Sequence, residues 1–320
     1  MTTLRDTPVS QSRAPVSAAT ARSVVRRNPV TWVRKGGLTT LLFFVPLLFS
    51  FGFFGWFPIV RGVVMSFQQT NFVTDATFVG FKNFAAVLAD PVFPTAVANT
   101  ALFTLLALLF GFPIPLLLSV VVAEFRRMRG LASVLAYLPV IIPPVAAVLL
   151  WKTFYDPRPD GLFNTILGWF GAGPLAWLND GDLALPSIVL QATWAGAGTA
   201  TIIYIASLMT IRTELYEAAE IDGASIPRRF WHVTLPQMRN VIFVMLLLQL
   251  IGTFQIFTEP YIMTGGGPDN RTTSILLLIY RYAFLNGDYG KATALSLLLA
   301  IFLALLSLVY FRLTRRWSSV

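Results

Sequence analysis

The apolar and polar positions of this chain alternate in blocks rather than residue by residue. Long apolar runs fall at 38–60, 96–123, 131–151, 186–209, 240–263 and 292–311, separated by stretches where the charges and turn formers collect. A helix rising 1.5 Å per residue needs about 20 apolar residues to cross a hydrocarbon core about 30 Å thick. Each run is about that long, so the pattern predicts six membrane-spanning helices in an all-α, polytopic chain. A further apolar piece, 272–285, is too short to cross and is interrupted by Arg281, which predicts a segment lying at the outer membrane surface. Pro143 and Pro144 predict a kink in the third run.

Two polar segments differ from ordinary connectors. Residues 1–37 hold Ser, Thr, Pro and Arg with few large apolar groups, a composition that cannot bury enough surface to offset ordering entropy and predicts a disordered tail. Segment 211–236 is charge-dense yet helical in period. Ile211, Leu215, Ala218 and Ala219 share one small, apolar face, while Glu214, Glu217 and Glu220 share another. Like charges at that spacing weaken an isolated helix and point to a basic partner. Gly223 predicts a left-handed cap, Ser225 and Pro227 the start of a second short helix, and Pro236 its end.

Charge changes the picture mainly by its placement. The chain of 320 residues is 56% hydrophobic and 12% charged, with a net charge of +9. A soluble domain carries about 25% charged residues. Seventeen of the 24 Lys and Arg lie in the tail, in 126–129, in the 211–236 loop with Arg239, and at the C-terminus. The excess of basic residues on one side places those segments, and both termini, in the cytoplasm. Basic residues used as topological anchors, with no interleaved aromatic readers, speak against nucleic acid as a partner. The absence of cysteine excludes disulfides and thiolate metal sites, and a single histidine, His232, excludes an all-histidine cluster. The outer segment TGGGPDN, 264–270, is no phosphate loop, since neither a preceding strand nor a following GK[ST] accompanies it; it reads as a tight turn.

Candidate chemistry lies in neutral polar groups within the apolar runs, which are costly in lipid and face a bundle interior or a cavity. On the fifth helix, Gln249, Gly252, Gln255 and Glu259 fall within a stripe of about 120° at 100° per residue. On the fourth, Gln191, Trp194, Ala195 and Gly198 share a face. Amides beside an indole suit a neutral sugar, with hydrogen bonds for its hydroxyls and a flat apolar surface for its ring. Small and polar residues also glue membrane helices together, and that alternative stays open.

EAAEIDGASIPRRFWHVTLP, at 217–236, resembles the cytoplasmic EAA loop of permeases from binding-protein-dependent ABC importers. Glu217, Ala218, Ala219, Asp222, Gly223, Ala224, Phe230, Leu235 and Pro236 match that pattern; Val233 stands where isoleucine is common. GFKNFAAVLADPVF at 80–93 and the stretch 261–312 resemble the carbohydrate-uptake branch. The resemblance covers about residues 38–315. It implies a type-1 transmembrane domain at 95–312, after a first helix and outer loop at 38–94 and before a cytoplasmic end at 313–320. It implies a non-catalytic permease subunit of the bacterial cell membrane, importing a sugar, such as a di- or oligosaccharide. The partners it implies are a second permease subunit in a heterodimer, two ATPases that bind ATP and magnesium, and an extracytoplasmic solute-binding protein. The 211–236 loop, with Glu214 and the matched residues, would dock the ATPase, and this chain would hold no cofactor. Two rivals stand beside it. An ion-coupled carrier would place ionisable groups mid-membrane, where Glu259 alone comes near; an enzyme would need a convergent acid, base or metal site.

Overall fold

The computed structural model describes residues 38–124, Val134 and 137–315. The expected disordered tail and the last five residues lie outside them. The chain falls into two compact units, one ending at Pro58 and one beginning at Ile59. In the first, the apolar side chains of 39–58 are exposed almost throughout.

Five helices among the described residues are long and apolar enough to cross a membrane: Thr39–Ser66 (α1), Val92–Ala123 (α3), Ala184–Leu208 (α6), the stretch Ile226–Met263, and Tyr289–Thr314 (α12). Shorter helices fill in between: Lys82–Leu88 (α2), Pro144–Phe154 (α4), Leu162–Gly168 (α5) and Thr213–Ile221 (α7). Ile226–Met263 divides into Ile226–Arg229 (α8), Leu235–Phe254 (α9) and Thr258–Met263 (α10), and Ile275–Tyr280 (α11) precedes α12. A two-residue antiparallel pair, β1 (Gln68–Gln69) with β2 (Thr77–Phe78), closes the loop after α1.

The third apolar run does not give a helix of spanning length among the described residues. Its first part lies partly outside them. The remainder breaks at Ile142 and Pro143, where Pro143 takes an extended conformation (φ −54°, ψ 135°) and Pro144 begins α4. Proline supplies no amide for the preceding turn and fits a helix at its first position, so the pair ends one helix and starts another.

Prolines elsewhere are absorbed without a break. In three places the amide just before a proline bonds five residues back instead of four: Phe57 to Gly52 before Pro58, Phe112 to Ala107 before Pro113, and Leu235 to Phe230 before Pro236. A proline ring clashes with the carbonyl four residues earlier, and a widened turn moves that carbonyl aside. Pro236 therefore does not end the second short helix, as its position in the sequence suggests. α8 runs through the wide turn Phe230–Thr234 directly into α9.

The apolar segment 272–285 is not among the helices of spanning length, and most of it is buried against neighbouring helices. Ile275, Leu278 and Tyr282 pack in one buried cluster with Val87 of α2, Ala96 of α3, and Ala292 and Leu295 of α12. Its backbone ends are satisfied by side chains. The Ser274 hydroxyl accepts from Leu277 N–H (3.2 Å) and donates to the Ile256 carbonyl (2.7 Å). The Thr100 hydroxyl accepts from Ile275 N–H (3.0 Å). The preceding turn, 264–270, is held from both sides. Arg281 donates to the Gly265 carbonyl and the Asn270 side chain, both at 2.7 Å, and Asn99 donates to the carbonyls of Asn270 (2.7 Å) and Thr273 (3.0 Å). Gly266 sits at φ +93°, where a Cβ would strike the Arg281 guanidinium and the Thr273 hydroxyl.

An ion pair ties the connection between α2 and α3 to the start of α12. Lys291 Nζ donates to Asp90 at 2.7 Å, the Tyr282 hydroxyl donates to the same oxygen at 2.8 Å, and Val92 N–H reaches the other oxygen at 2.9 Å. Burial works to raise the Asp90 carboxyl, but the hydrogen bonds from Lys291, Val92 and Tyr282 outweigh it and hold the group below its usual range. A carboxyl depressed in the folded state stabilises fully above its unfolded value, near 3.9, and loses that contribution as pH falls through the folded value. Asp90→Asn is expected to destabilise the protein by about 1.5–3 kcal/mol at neutral pH. In thermal unfolding of the purified protein, its gap to wild type should close as pH drops below about 4.

Candidate functional site

Two places carry most of the residues singled out from the sequence: the 211–236 elbow and a cavity between α3, α6 and the α9–α10 break.

In the elbow, α7 ends in a complete Schellman cap. Gly223 takes φ +71°, Ala224 N–H bonds to the Ala219 carbonyl at 2.8 Å, and Gly223 N–H to the Glu220 carbonyl at 3.0 Å. Ser225 then adopts the extended conformation of a helix cap, though its hydroxyl makes no capping bond, and Pro227 lies in the first turn of α8. Two side-chain links fix the angle between α7 and the helix that leaves the elbow: the Arg229–Glu220 ion pair and a 2.9 Å hydrogen bond between the Tyr216 and Thr234 hydroxyls. The three glutamates are not a uniform docking face. Glu220 is paired with Arg229 and Glu214 with Arg212 (3.3 Å), while Glu217 is exposed. Of the matched residues, Ala218 and Asp222 are exposed, and Ala219 and Ala224 half-buried. Phe230 and Leu235 pack inward around buried Met238 and Tyr204. Ile221 and Trp231 present 87% and 62% of their surface to the outside, a large apolar area beside the charges.

The cavity measures about 640 Å³, within the range of ligand-sized sites. It forms where α9 ends. Phe254 is the last helical residue, Gln255 turns out of the helix (φ −105°, ψ 19°), and α10 begins at Thr258. Gln249, Gly252, Gln255 and Glu259 all line it, brought together by this break instead of by the continuous helix that the stripe assumes. Phe257 and Thr258, from the break itself, join them. Gln249 Nε2 lies 3.4 Å from the Ala107 carbonyl in the wide turn of α3. The lining thus offers amides, hydroxyls and one carboxylate beside apolar walls.

The face of the fourth helix differs from the expected one. α6 turns Ala192, Thr193, Gly196, Thr199 and Ala200 to the cavity, roughly 150° round the helix from the expected stripe at 100° per residue. Gln191 is 1% exposed, outside the lining, and its Oε1 takes no hydrogen bond among the described residues. Trp194 packs against Trp151 in a tilted ring contact, with centroids 5.4 Å apart. Polarity and size draw attention to Gln191 and Trp194. The signal that marks the lining face is the small residues Ala192, Gly196 and Ala200, spaced four apart, which keep a helix surface open. His232 is exposed in the wide turn, its Nδ1 3.0 Å from the Arg228 carbonyl, far in sequence from the lining residues.

Residues 82–319 match the family described as binding-protein-dependent transport system inner membrane component. The chain belongs to this family. Among its relatives, the "Probable ABC transporter permease protein YurN" of Bacillus subtilis (strain 168) is 33% identical over 288 residues, which cover 88% of this chain and 98% of that protein. The trehalose/maltose transport system permease protein MalF of Thermococcus litoralis is 33% identical, with 87% and 90% covered. In solved structures, a chain of a bacterial ABC transporter involved in the import of the acidic polysaccharide alginate superimposes with a TM-score of 0.80 at 28% identity, covering 90% of this chain and 98% of that one. The family is a transport component, and this inner membrane component shares its fold over nearly the whole length of those relatives.

The glycines of the cavity separate lining from packing. A Cβ at Gly196 or Gly252 meets nothing within 4 Å, whereas one at Gly111 lies 3.1 Å from the Thr193 hydroxyl and 3.3 Å from Gln249 Nε2. Gly252→Ala is expected to enter open space and to leave stability unchanged or raised by about 0.5–1 kcal/mol. Gly111→Val should overpack three helices and cost about 1–3 kcal/mol. Melting temperatures of the two purified variants check the contrast.

Proposed function

We propose that this chain is the permease subunit of an ATP-driven importer for a neutral sugar, a di- or oligosaccharide, in a bacterial inner membrane. The observation that carries this reading is the path of one helical rod. α8 leaves the Gly223 elbow, passes through the wide turn into α9, and ends at Gln255 in the cavity wall. The elbow would receive an ATPase on Glu217, the Ala218/Ala219 face and the exposed Ile221 and Trp231. The cavity would pass the solute, with Gln249, Gln255 and Thr258 exchanging hydrogen bonds with hydroxyls, and Phe257 and Gly252 giving an apolar, open wall. Relatives whose names specify trehalose/maltose and arabinooligosaccharides support a saccharide as cargo.

The assembly proposed has a second, non-identical permease subunit, two ATPases holding ATP and magnesium, and a solute-binding protein on the outer side. A structural relative solved with an alginate pentasaccharide-bound periplasmic protein supports that last partner. Both termini and the elbow would face the cytoplasm, as the Lys and Arg placement requires. Glu259 is the feature that favours the rival ion-coupled reading, being a carboxylate at the cavity wall.

Reconstituting the complex separates the two. Uptake is expected to require ATP and loaded binding protein and to persist with a protonophore present; collapse under the protonophore at constant ATP would establish the rival. Gly223→Val places a branched side chain at φ +71° and should cost about 1–2 kcal/mol locally. It and Glu217→Lys are expected to leave the protein inserted while abolishing ATP hydrolysis stimulated by loaded binding protein. Normal stimulation and uptake in both variants would reduce the elbow to a connector.

A further inference from the structure

A second cavity, of about 540 Å³, lies on the other side of α9, between α9 and the C-terminal end of α12. Its long wall is apolar: Phe243, Val244, Leu247 and Leu248 from α9 face Phe311 from α12. Val244, Leu248 and Phe311 leave 58%, 56% and 60% of their surface exposed there, too much to be a closed part of the core. The floor is fixed by a 2.7 Å hydrogen bond from the Tyr310 hydroxyl to the Phe243 carbonyl. One end is polar instead, formed by Asn240, Thr314 and Arg315, with Arg312 exposed one turn back on α12. The groove therefore grades from hydrocarbon to cation over the nine residues from Asn240 to Leu248, about 12 Å along the helix.

We propose that this groove is a binding site for one anionic phospholipid. An acyl chain lies along Val244, Leu248 and Phe311, and the phosphate meets Arg315 with Asn240 and Thr314 donating beside it. The gradient runs in the direction a bilayer imposes. On the orientation proposed above, the cationic end, at the C-terminus of α12 and one residue from Arg239 in sequence, lies on the cytoplasmic side, where anionic headgroups concentrate and basic clefts between membrane helices hold them. A neutral lipid suits the apolar wall but brings no net negative charge to the end that carries Arg312 and Arg315. A soluble phosphate suits that basic end but leaves the wall empty. Only a molecule with both parts fits the whole site. Leu248 lines this groove and the central cavity alike, so the lipid tail packs against the back of the residue that forms the cavity wall.

The test is native mass spectrometry of the full transporter complex, stripped of endogenous lipid and titrated with defined lipids. Phosphatidylglycerol is expected to give one bound molecule per copy of this chain, surviving activation that removes phosphatidylcholine. Glycerophosphate, which has the charge without the chains, is expected to give no bound mass. Arg315→Gln should lower phosphatidylglycerol occupancy at least fivefold, and Arg315→Lys should restore most of it. Val244→Trp fills the groove and should abolish binding; if that variant does not assemble, the Arg315 pair alone decides. A photoreactive phenylalanine at Val244 should cross-link to lipid. Equal retention of phosphatidylcholine, unchanged occupancy in Arg315→Gln, or a cross-link from position 244 to another protein subunit would each overturn the assignment.

Discussion

A backbone amide or carbonyl without a partner costs several kcal/mol away from water, and the rest of this structure depends on meeting that demand. A chain of continuous helices would meet it trivially and would also have no cavity. This chain interrupts its helices at Gln255–Phe257 and again between 264 and 274, and at each interruption side chains replace the lost helical bonds. Ser274 serves the Ile256 carbonyl, Thr100 the Ile275 amide, and Asn99 and Arg281 the carbonyls of the glycine turn. These polar side chains make the broken backbone beside the cavity tolerable away from water. Their burial is thus a property of the site and not a flaw in the core.

The prolines follow the same rule by another route. Before Pro113 and Pro236 the helix widens by one residue, and the amide preceding the proline reaches five residues back. The first of these turns brings Ala107 and Gly111 to the cavity; the second joins the elbow to α9. Where two prolines stand together, at Pro143 and Pro144, widening does not suffice and the helix breaks. Sequence position alone does not separate these outcomes.

What is legible in the sequence is what depends on local chemistry. The elbow can be read because Gly223 has few alternatives to a left-handed cap at the end of an EAA helix, and the apolar runs can be read because their length is set by the bilayer. The residues of the fifth-helix stripe do share one surface, although the helix ends before Glu259. The face of α6 is not legible. Gln191 and Trp194 are the conspicuous residues, but burial of Gln191 and the tilted ring contact of Trp194 with Trp151 are tertiary facts. The burial of Ile275–Tyr280 against its neighbours is hidden for the same reason. Arg281 reads as a surface marker until its hydrogen bonds to Gly265 and Asn270 are seen.

The elbow also sets a scale for motion. From Ile226 to Gln255 the rod is about 44 Å long at 1.5 Å per residue. The Schellman cap, the Arg229–Glu220 pair and the Tyr216–Thr234 bond leave little freedom for α7 to swivel on α8. A tilt of about 5° applied at the elbow would therefore sweep the far end of a rod about 44 Å long sideways by about 4 Å. A rigid joint at one end thus carries a small rotation to the cavity wall at the other, with no bond in between having to break.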